Sequence, residues 1–335
     1  MQHKVISRII GTGSFFPHRI VGNAEVAAPL HLDEEEIFHV TGIRSRRWAS
    51  QEETCSYFAE QAARRALAQA GIESTAVQAI FVSTTSPDAV FPSTACYVQQ
   101  RLGATGAFAF DVAASCSGFL YALSMADRMI RANQIRQCLV VASEIKSRYL
   151  NRLNKSSTIL FGDGAGAVVL RGEAQSASCI KPTGILGIRL YADGAYHGLI
   201  AIPAGGSRIR ASLDTLQHDL HTIQLQGHAV FRIGVKRLSR AMRELLEEFH
   251  LQVTDVQQVI THQANGRMLA AIRERLKLPE DRVVSILEDY GNTSSASLPI
   301  ALDYAVRRGL VHADDVILLG AFGGGFTWAT ALIRW

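Results

Sequence analysis

Cys116 sits in the run AASCSGFLYAL, where small residues precede the thiol and a helix-like apolar series (Phe119, Leu120, Leu123, Met125, Ile130) follows it. A thiol at a helix N-terminus feels the positive end of the helix dipole, which lowers its pKa and favours the nucleophilic thiolate. Gly118 removes a side chain beside it, so a bulky substrate could approach. The plain alternative is a buried small hydrophobe, the usual state of a free Cys. Cys55, Cys96, Cys138 and Cys179 lack this setting, and Cys138 opens an apolar run that reads as a core strand.

His262 follows an apolar strand-like run in VITHQANGRM, and Asn292 lies in a Gly-Asn turn within DYGNTSSASLP. Strand ends and tight turns are where α/β folds put functional groups. Taken singly, such a His is a hydrogen-bonded structural residue and such an Asn is turn chemistry. Taken with Cys116, the three suit thioester chemistry. A thiolate attacks a thioester to give an acyl-enzyme, and His with Asn can donate hydrogen bonds to an enolate oxygen. That chemistry needs no metal and no cofactor. A papain-like protease also combines Cys, His and Asn, but its local Cys signature is absent.

The elements that must bring these residues together repeat along the chain. Ala79–Val82 resembles Val259–Ile260, Leu139–Val141 resembles Ile317–Leu319, and the turn at Ser115–Cys116 resembles that at Thr293–Ser294, all at an offset of about 178–180 residues. The helical stretch Tyr57–Ala70 precedes the first strand as Phe231–Phe249 precedes the second. Each half reads strand, helix, strand, helix, with short apolar runs as buried strands. This is an α/β chain with two halves, 1–172 and 173–335. Pseudo-symmetry then brings Cys116, His262 and Asn292 toward one pocket. The stretch from Gly172 to Gly227 reads as irregular connection. The glycines of GDGAG (162–166) fit tight packing and do not match GxGxxG.

Of the 335 residues, 48% are hydrophobic and 19% charged, which excludes a disordered chain. A net charge of +4 is too mild for a dedicated nucleic-acid binder. No apolar run approaches the ~18 residues of a membrane span, and the N-terminus lacks the apolar core of a secretory signal. Five scattered Cys fit neither a disulfide framework nor a zinc site. The expectation is a cytoplasmic enzyme that binds neither nucleic acid nor membrane.

Eight segments spread over the whole chain carry a specific resemblance: GTGSFFP (11–17), TGIRSR (41–46), FPSTACYVQ (91–99), DVAASCSGFLYAL (111–123), FGDGAGAVVL (161–170), HQANGR (262–267), GNTSSAS (291–297) and GGGFTW (323–328). The sequence resembles β-ketoacyl-acyl-carrier-protein synthase III, of the thiolase-fold condensing enzymes. The resemblance implies a layered α/β/α/β/α arrangement of two pseudo-symmetric halves. It implies Cys116 as nucleophile, His262 and Asn292 as the decarboxylation pair, and an oxyanion hole from the N–H groups of Cys116 and Gly324. Phe322 and Phe161 would line the site, and Phe91 would reach into the acyl pocket of the partner in a homodimer. Lys155, Leu225, His228, Phe231 and Asn265 would line the pantetheine or CoA channel. Arg267, with Arg232 and Lys236, would dock the acidic acyl carrier protein. The substrates implied are an acyl thioester, on CoA or carrier, and malonyl-carrier; the activity is decarboxylative Claisen condensation that initiates fatty-acid-type chains.

The chain departs from the family at the nucleotide grip. Glu36 stands where a Trp is usual, Val40 and Lys155 where Arg residues are usual, and His228 where an Asn is common. Trp48 or the arginines between Arg44 and Arg47 could take over these contacts. A specialised ketosynthase or acyltransferase of a secondary pathway, using a non-CoA or unusual donor, is the alternative reading. A non-catalytic partner subunit is disfavoured by the intact Cys116, His262 and Asn292.

Overall fold

A computed structural model describes residues 3–176 and 181–335; Cys179 lies outside them. In chain order the strands that matter are β1 (His3–Phe15), β2 (Ala79–Ser83), β3 (Phe108–Val112), β4 (Gln137–Glu144), β5 (Gly164–Ser176), β6 (Gly184–Ala192), β7 (Gln258–Thr261), β8 (Val316–Gly323) and β9 (Thr327–Arg334). The helices are α1 (Glu34–Thr41), α2 (Cys55–Ala70), α3 (Thr94–Leu102), α4 (Gly118–Arg131), α5 (Gly227–Glu248), α6 (Gly266–Leu276) and α7 (Ser297–Arg307).

One sheet runs β1-β5-β4-β2-β3 and the other β7-β8-β9-β6. In both, a parallel pair (β2 with β4, β7 with β8) is extended by antiparallel strands. The repeat is exact in register: β7 starts at 258 against 79, β8 at 316 against 137, and α7 at 297 against 118, an offset of 179 each time. Helices α4 and α7 lie between the sheets. Helices α2 and α3 cover the outer face of the first sheet, and α5 and α6 that of the second. This is the five-layered arrangement of two related halves.

Local sequence explains the elements. Helix α2 is rich in Ala, its Thr54 cap accepts from the Tyr57 N–H, and it stops at Gly71 with φ +65°. Its buried face (Phe58, Ala59, Ala62, Ala63, Ala66) packs on the first sheet. Helix α1 begins with three Glu residues and an Asp33 cap, which complement the dipole. Strand β4 is buried on both faces, apart from its half-buried first residue, as its continuous apolar run requires. Between the sheets Phe81, Phe119 and Leu120 are fully buried; truncating such a Phe costs about 3–5 kcal/mol.

The stretch from Gly172 to Gly227 differs from the sequence reading. It contains β6, nine residues that form an edge of the second sheet. Among the described residues no helix is long and apolar enough to cross a membrane.

Candidate active site

Cys116 lies in a single tight turn, Ser115–Ser117, directly before α4, and Ser115 has φ +48°. The strained turn pushes the thiol into the space between the sheet ends. Strand β8 closes on it from the other half: a Cβ at Gly323 would stand 2.6 Å from the Cys116 nitrogen, so only Gly fits there. Gly118 does not serve substrate access. A Cβ there would meet Ser83 Oγ at 2.2 Å, so the glycine lets the helix start pack on β2.

His262 follows the last residue of β7, with its N–H bonded to the Gly320 carbonyl at 2.8 Å. Ser297 Oγ holds Nδ1 at 2.8 Å, which leaves Nε2 to face Cys116. Phe322 packs edge-on against the imidazole with ring centroids 6.2 Å apart. Asn292 is pinned beside Phe161: its N–H donates to the Leu160 carbonyl and its carbonyl accepts from the Gly162 N–H. Its Oδ1 accepts from the Ser294 N–H at 2.9 Å, which fixes the amide so that Nδ2 is the free donor group. One Nδ2 proton goes to the Ala264 carbonyl at 3.3 Å; the other is available.

Cys116, His262 and Asn292, 179 residues of repeat notwithstanding, line one cavity of about 1190 Å³. Burial pushes the Cys116 thiol up. The charge and hydrogen bond of His262 overcome it, with smaller help from the Ser294 hydroxyl and Lys146, and the thiol falls from 9.0 to about 7. The contrast is Cys55, which burial pushes up to about 12, and Cys138, which burial also raises.

Gly324, Phe322 and Phe161 line the same cavity, as do Lys155, Leu225, His228, Phe231 and Asn265. Phe91 does not: it is 83% exposed and stands outside the cavity of its own chain. Arg267 is exposed at the cavity rim, while Arg232 and Lys236 are exposed on α5 outside it. None of these three cations has a carboxylate partner among the described residues.

At the mouth the altered positions meet one another. Lys155 Nζ lies 2.8 Å from Glu36 Oε1, and Val40 lines the cavity beside them. Trp48 cannot replace the missing ring, because it is buried with Nε1 donating to the Phe161 carbonyl. Arg46 is buried on Asn23 and the Ile159 carbonyl. Arg44 is stacked on Phe38 and paired with Glu288.

Sequence reasoning missed a buried network behind the thiol. Ser294 Oγ lies 3.4 Å from Cys116 Sγ and donates to Glu144 Oε1 at 3.2 Å. Glu144 is fully buried; burial raises its carboxyl, but Lys146 beside it and its hydroxyl donors hold it below the ordinary value. Two ionisable residues closing the apolar run CLVVAS were the available signal.

A two-sheet, five-layered fold with a Cys at the inner turn of one half and His and Asn supplied to the same cavity by the other is that of the thiolase-fold condensing enzymes. Comparison with known proteins narrows the class. The family model for 3-oxoacyl-[acyl-carrier-protein (ACP)] synthase III matches residues 110–194, and that for its C-terminal region matches 246–335. β-Ketoacyl-[acyl-carrier-protein] synthase III of Caldanaerobacter subterraneus is 43% identical over 335 residues, covering 100% of this chain and 99% of the relative. The enzyme of that name from Methylococcus capsulatus is 44% identical over 329 residues, covering 98% and 99%. Among solved structures, 3-oxoacyl-[acyl-carrier-protein] synthase III from Aquifex aeolicus superposes with TM-score 0.88 at 38% identity, covering 98% of this chain and 100% of that one. The priming β-ketosynthase of the R1128 polyketide pathway gives 0.89 at 35%, covering 100% and 97%. The chain belongs to the 3-oxoacyl-[acyl-carrier-protein] synthase III family.

Proposed function

We propose that this chain is an acyl-transferring condensing enzyme that works through Cys116. The thiolate adds to the carbonyl of an acyl thioester, the oxyanion rests on the N–H groups of Cys116 and Gly324, and the carrier thiolate leaves. Malonyl-carrier then binds. His262 and Asn292 Nδ2 donate to its thioester oxygen while the C–CO₂ bond breaks, and its electron pair becomes the enolate. The enolate carbon attacks the acyl-Cys carbonyl, the C–S bond breaks, and a β-ketoacyl thioester is released. The observation that carries this reading is the convergence of the three groups on one cavity with the thiol lowered to about 7.

Arg267 at the cavity rim, with Arg232 and Lys236 exposed on α5, forms the docking surface for an acidic acyl carrier protein, since unpaired exposed cations near a tunnel mouth attract anions. Exposed Val90, Phe91 and Phe108, with the edge strand β3, form the homodimer face, and Phe91 enters the cavity of the partner. The halves 1–172 and 173–335 act as one unit in a reducing cytoplasm. The Glu36–Lys155 pair favours a specialised role, with a donor other than CoA. The test supplies an acyl thioester and malonyl-carrier and follows CO₂ release and β-ketoacyl product by mass spectrometry. Stoichiometric CO₂ and product support the reading; CO₂ without product, or neither, overturns it.

A further inference from the structure

Behind Cys116 stands a cation that helps lower the thiol but takes no part in the bond-making steps of the condensation. Lys146 follows β4 by two residues and is 5% exposed. Its Nζ lies 3.0 Å from Glu144 Oε2 and donates to Thr85 Oγ1 at 2.5 Å. Lys146, Thr85 and Cys116 line the same cavity. Cys116 and Lys146 are buried and Thr85 half-buried, whereas Lys155 and Arg267 on the same cavity are exposed, which places the first three at its inner end. A thioester that enters by the mouth therefore leaves its acyl group on Cys116 beside Lys146.

An ammonium has three N–H donors, and among the described residues two oxygens receive them. Because Lys146 lines the cavity, the third is left for a ligand there. A saturated alkyl chain lying there would strip water from this cation and give nothing back. Serving as counter-ion to Glu144 does not account for the placement. That carboxylate also accepts from Ser86 Oγ at 2.6 Å, Ser295 Oγ at 2.8 Å, and Ser294 Oγ and the Thr85 N–H at 3.2 Å. Thr85 adds a hydroxyl to the same wall. The Glu144 charge next to Nζ repels a second carboxylate.

We propose that Lys146 and Thr85 determine acyl specificity, and that the group carried by Cys116 is short and bears a neutral oxygen acceptor, a hydroxyl or keto oxygen, that takes the free Lys146 N–H. This rests on the acyl-Cys116 reading above and names its substrate class. Hydrogen bonds to charged donors discriminate by about 10–100-fold, and that is the expected margin over an alkyl group of equal length.

The test loads the intact protein with butyryl-, 3-hydroxybutyryl-, acetoacetyl- and succinyl-pantetheine and follows the Cys116 adduct by intact mass. In wild type, 3-hydroxybutyryl or acetoacetyl should load about 10–100-fold faster than butyryl, with succinyl behind them. Lys146→Leu should shift the order toward butyryl, while Lys146→Gln, which keeps a donor, should retain part of the preference. Should the Leu variant fail to fold, the wild-type order and the Gln variant decide. Butyryl or succinyl leading in wild type, or an order unchanged in the folded variants, overturns the inference. Adducts led by butyryl refute this inference alone; no adduct from any thioester refutes the acyl-Cys116 reading and this one with it.

Discussion

Replacing His262 by Ala should damage two steps for two different reasons, and pH separates them. The Cys116 thiol is lowered from 9.0 to about 7 against the opposing pull of burial. The largest lowering influence is His262. The other charged group acting on the thiol, Lys146 just past β4, stays in place, as does Glu144 behind Ser294. Without the imidazole, burial dominates and the thiol returns to 9 or above. At pH 7 the thiolate fraction then drops from about one half to about 1%, so acylation slows about 50-fold. Because the thiol is an acid, its rate rises with pH through its midpoint, so the variant should recover near pH 10. Asn292→Ala removes an amide donor but not the charge, so its midpoint should stay near 7. Both variants should lose about 10²–10³ in malonyl decarboxylation, which high pH does not restore. The first assay is the pH profile of iodoacetamide alkylation followed on the Cys116 peptide, in a Cys96→Ser, Cys179→Ser background that removes one exposed thiol and the thiol outside the described residues. The second is CO₂ release from malonyl-carrier. A midpoint near 7 in His262→Ala, or normal decarboxylation by Asn292→Ala, would refute the reasoning.

Arg267→Glu should raise the KM for malonyl-carrier about tenfold and flatten its salt dependence, while N-acetylcysteamine thioesters stay nearly unaffected; equal losses on both would make Arg267 a structural residue. At the mouth, Glu36→Trp breaks an ion pair whose partners are about half exposed, which costs at most about 1 kcal/mol. The new ring should add about 0.5–2 kcal/mol of stacking to a bound adenine. Wild type should therefore favour acyl-CoA over acyl-pantetheine by less than about tenfold, and Glu36→Trp should widen the gap. A hundredfold wild-type preference that Glu36→Trp leaves unchanged would falsify the altered nucleotide grip.

The paired strands were legible because each is a short run of β-branched and aliphatic residues between turn signals, and because two such sets recur at one offset. Cys116, His262 and Asn292 were legible because each stands where a strand or turn delivers a side chain to a sheet end. Strand β6 was not, because GILGIRLYA mixes glycines with an uneven apolar pattern and depends on pairing with β9. Gly118 misled because its neighbour Ser83 is distant in sequence. Trp48 misled because its burial under Arg152 and against the Phe161 carbonyl is set by tertiary packing. The Glu144–Lys146 pair announced itself as two charges after an apolar strand. Its meaning came only with the Ser294 and Ser295 hydroxyls, supplied by the other half of the chain.

Peptide mapping of the acylated protein tests the central claim most directly. The protein is incubated with a thioester primer at pH 7, quenched in acid and digested, and every Cys peptide is weighed. The account predicts one acyl group, on Cys116, absent from Cys116→Ala. An adduct on Cys55, Cys96, Cys138 or Cys179, or acylation that survives Cys116→Ala, would contradict it.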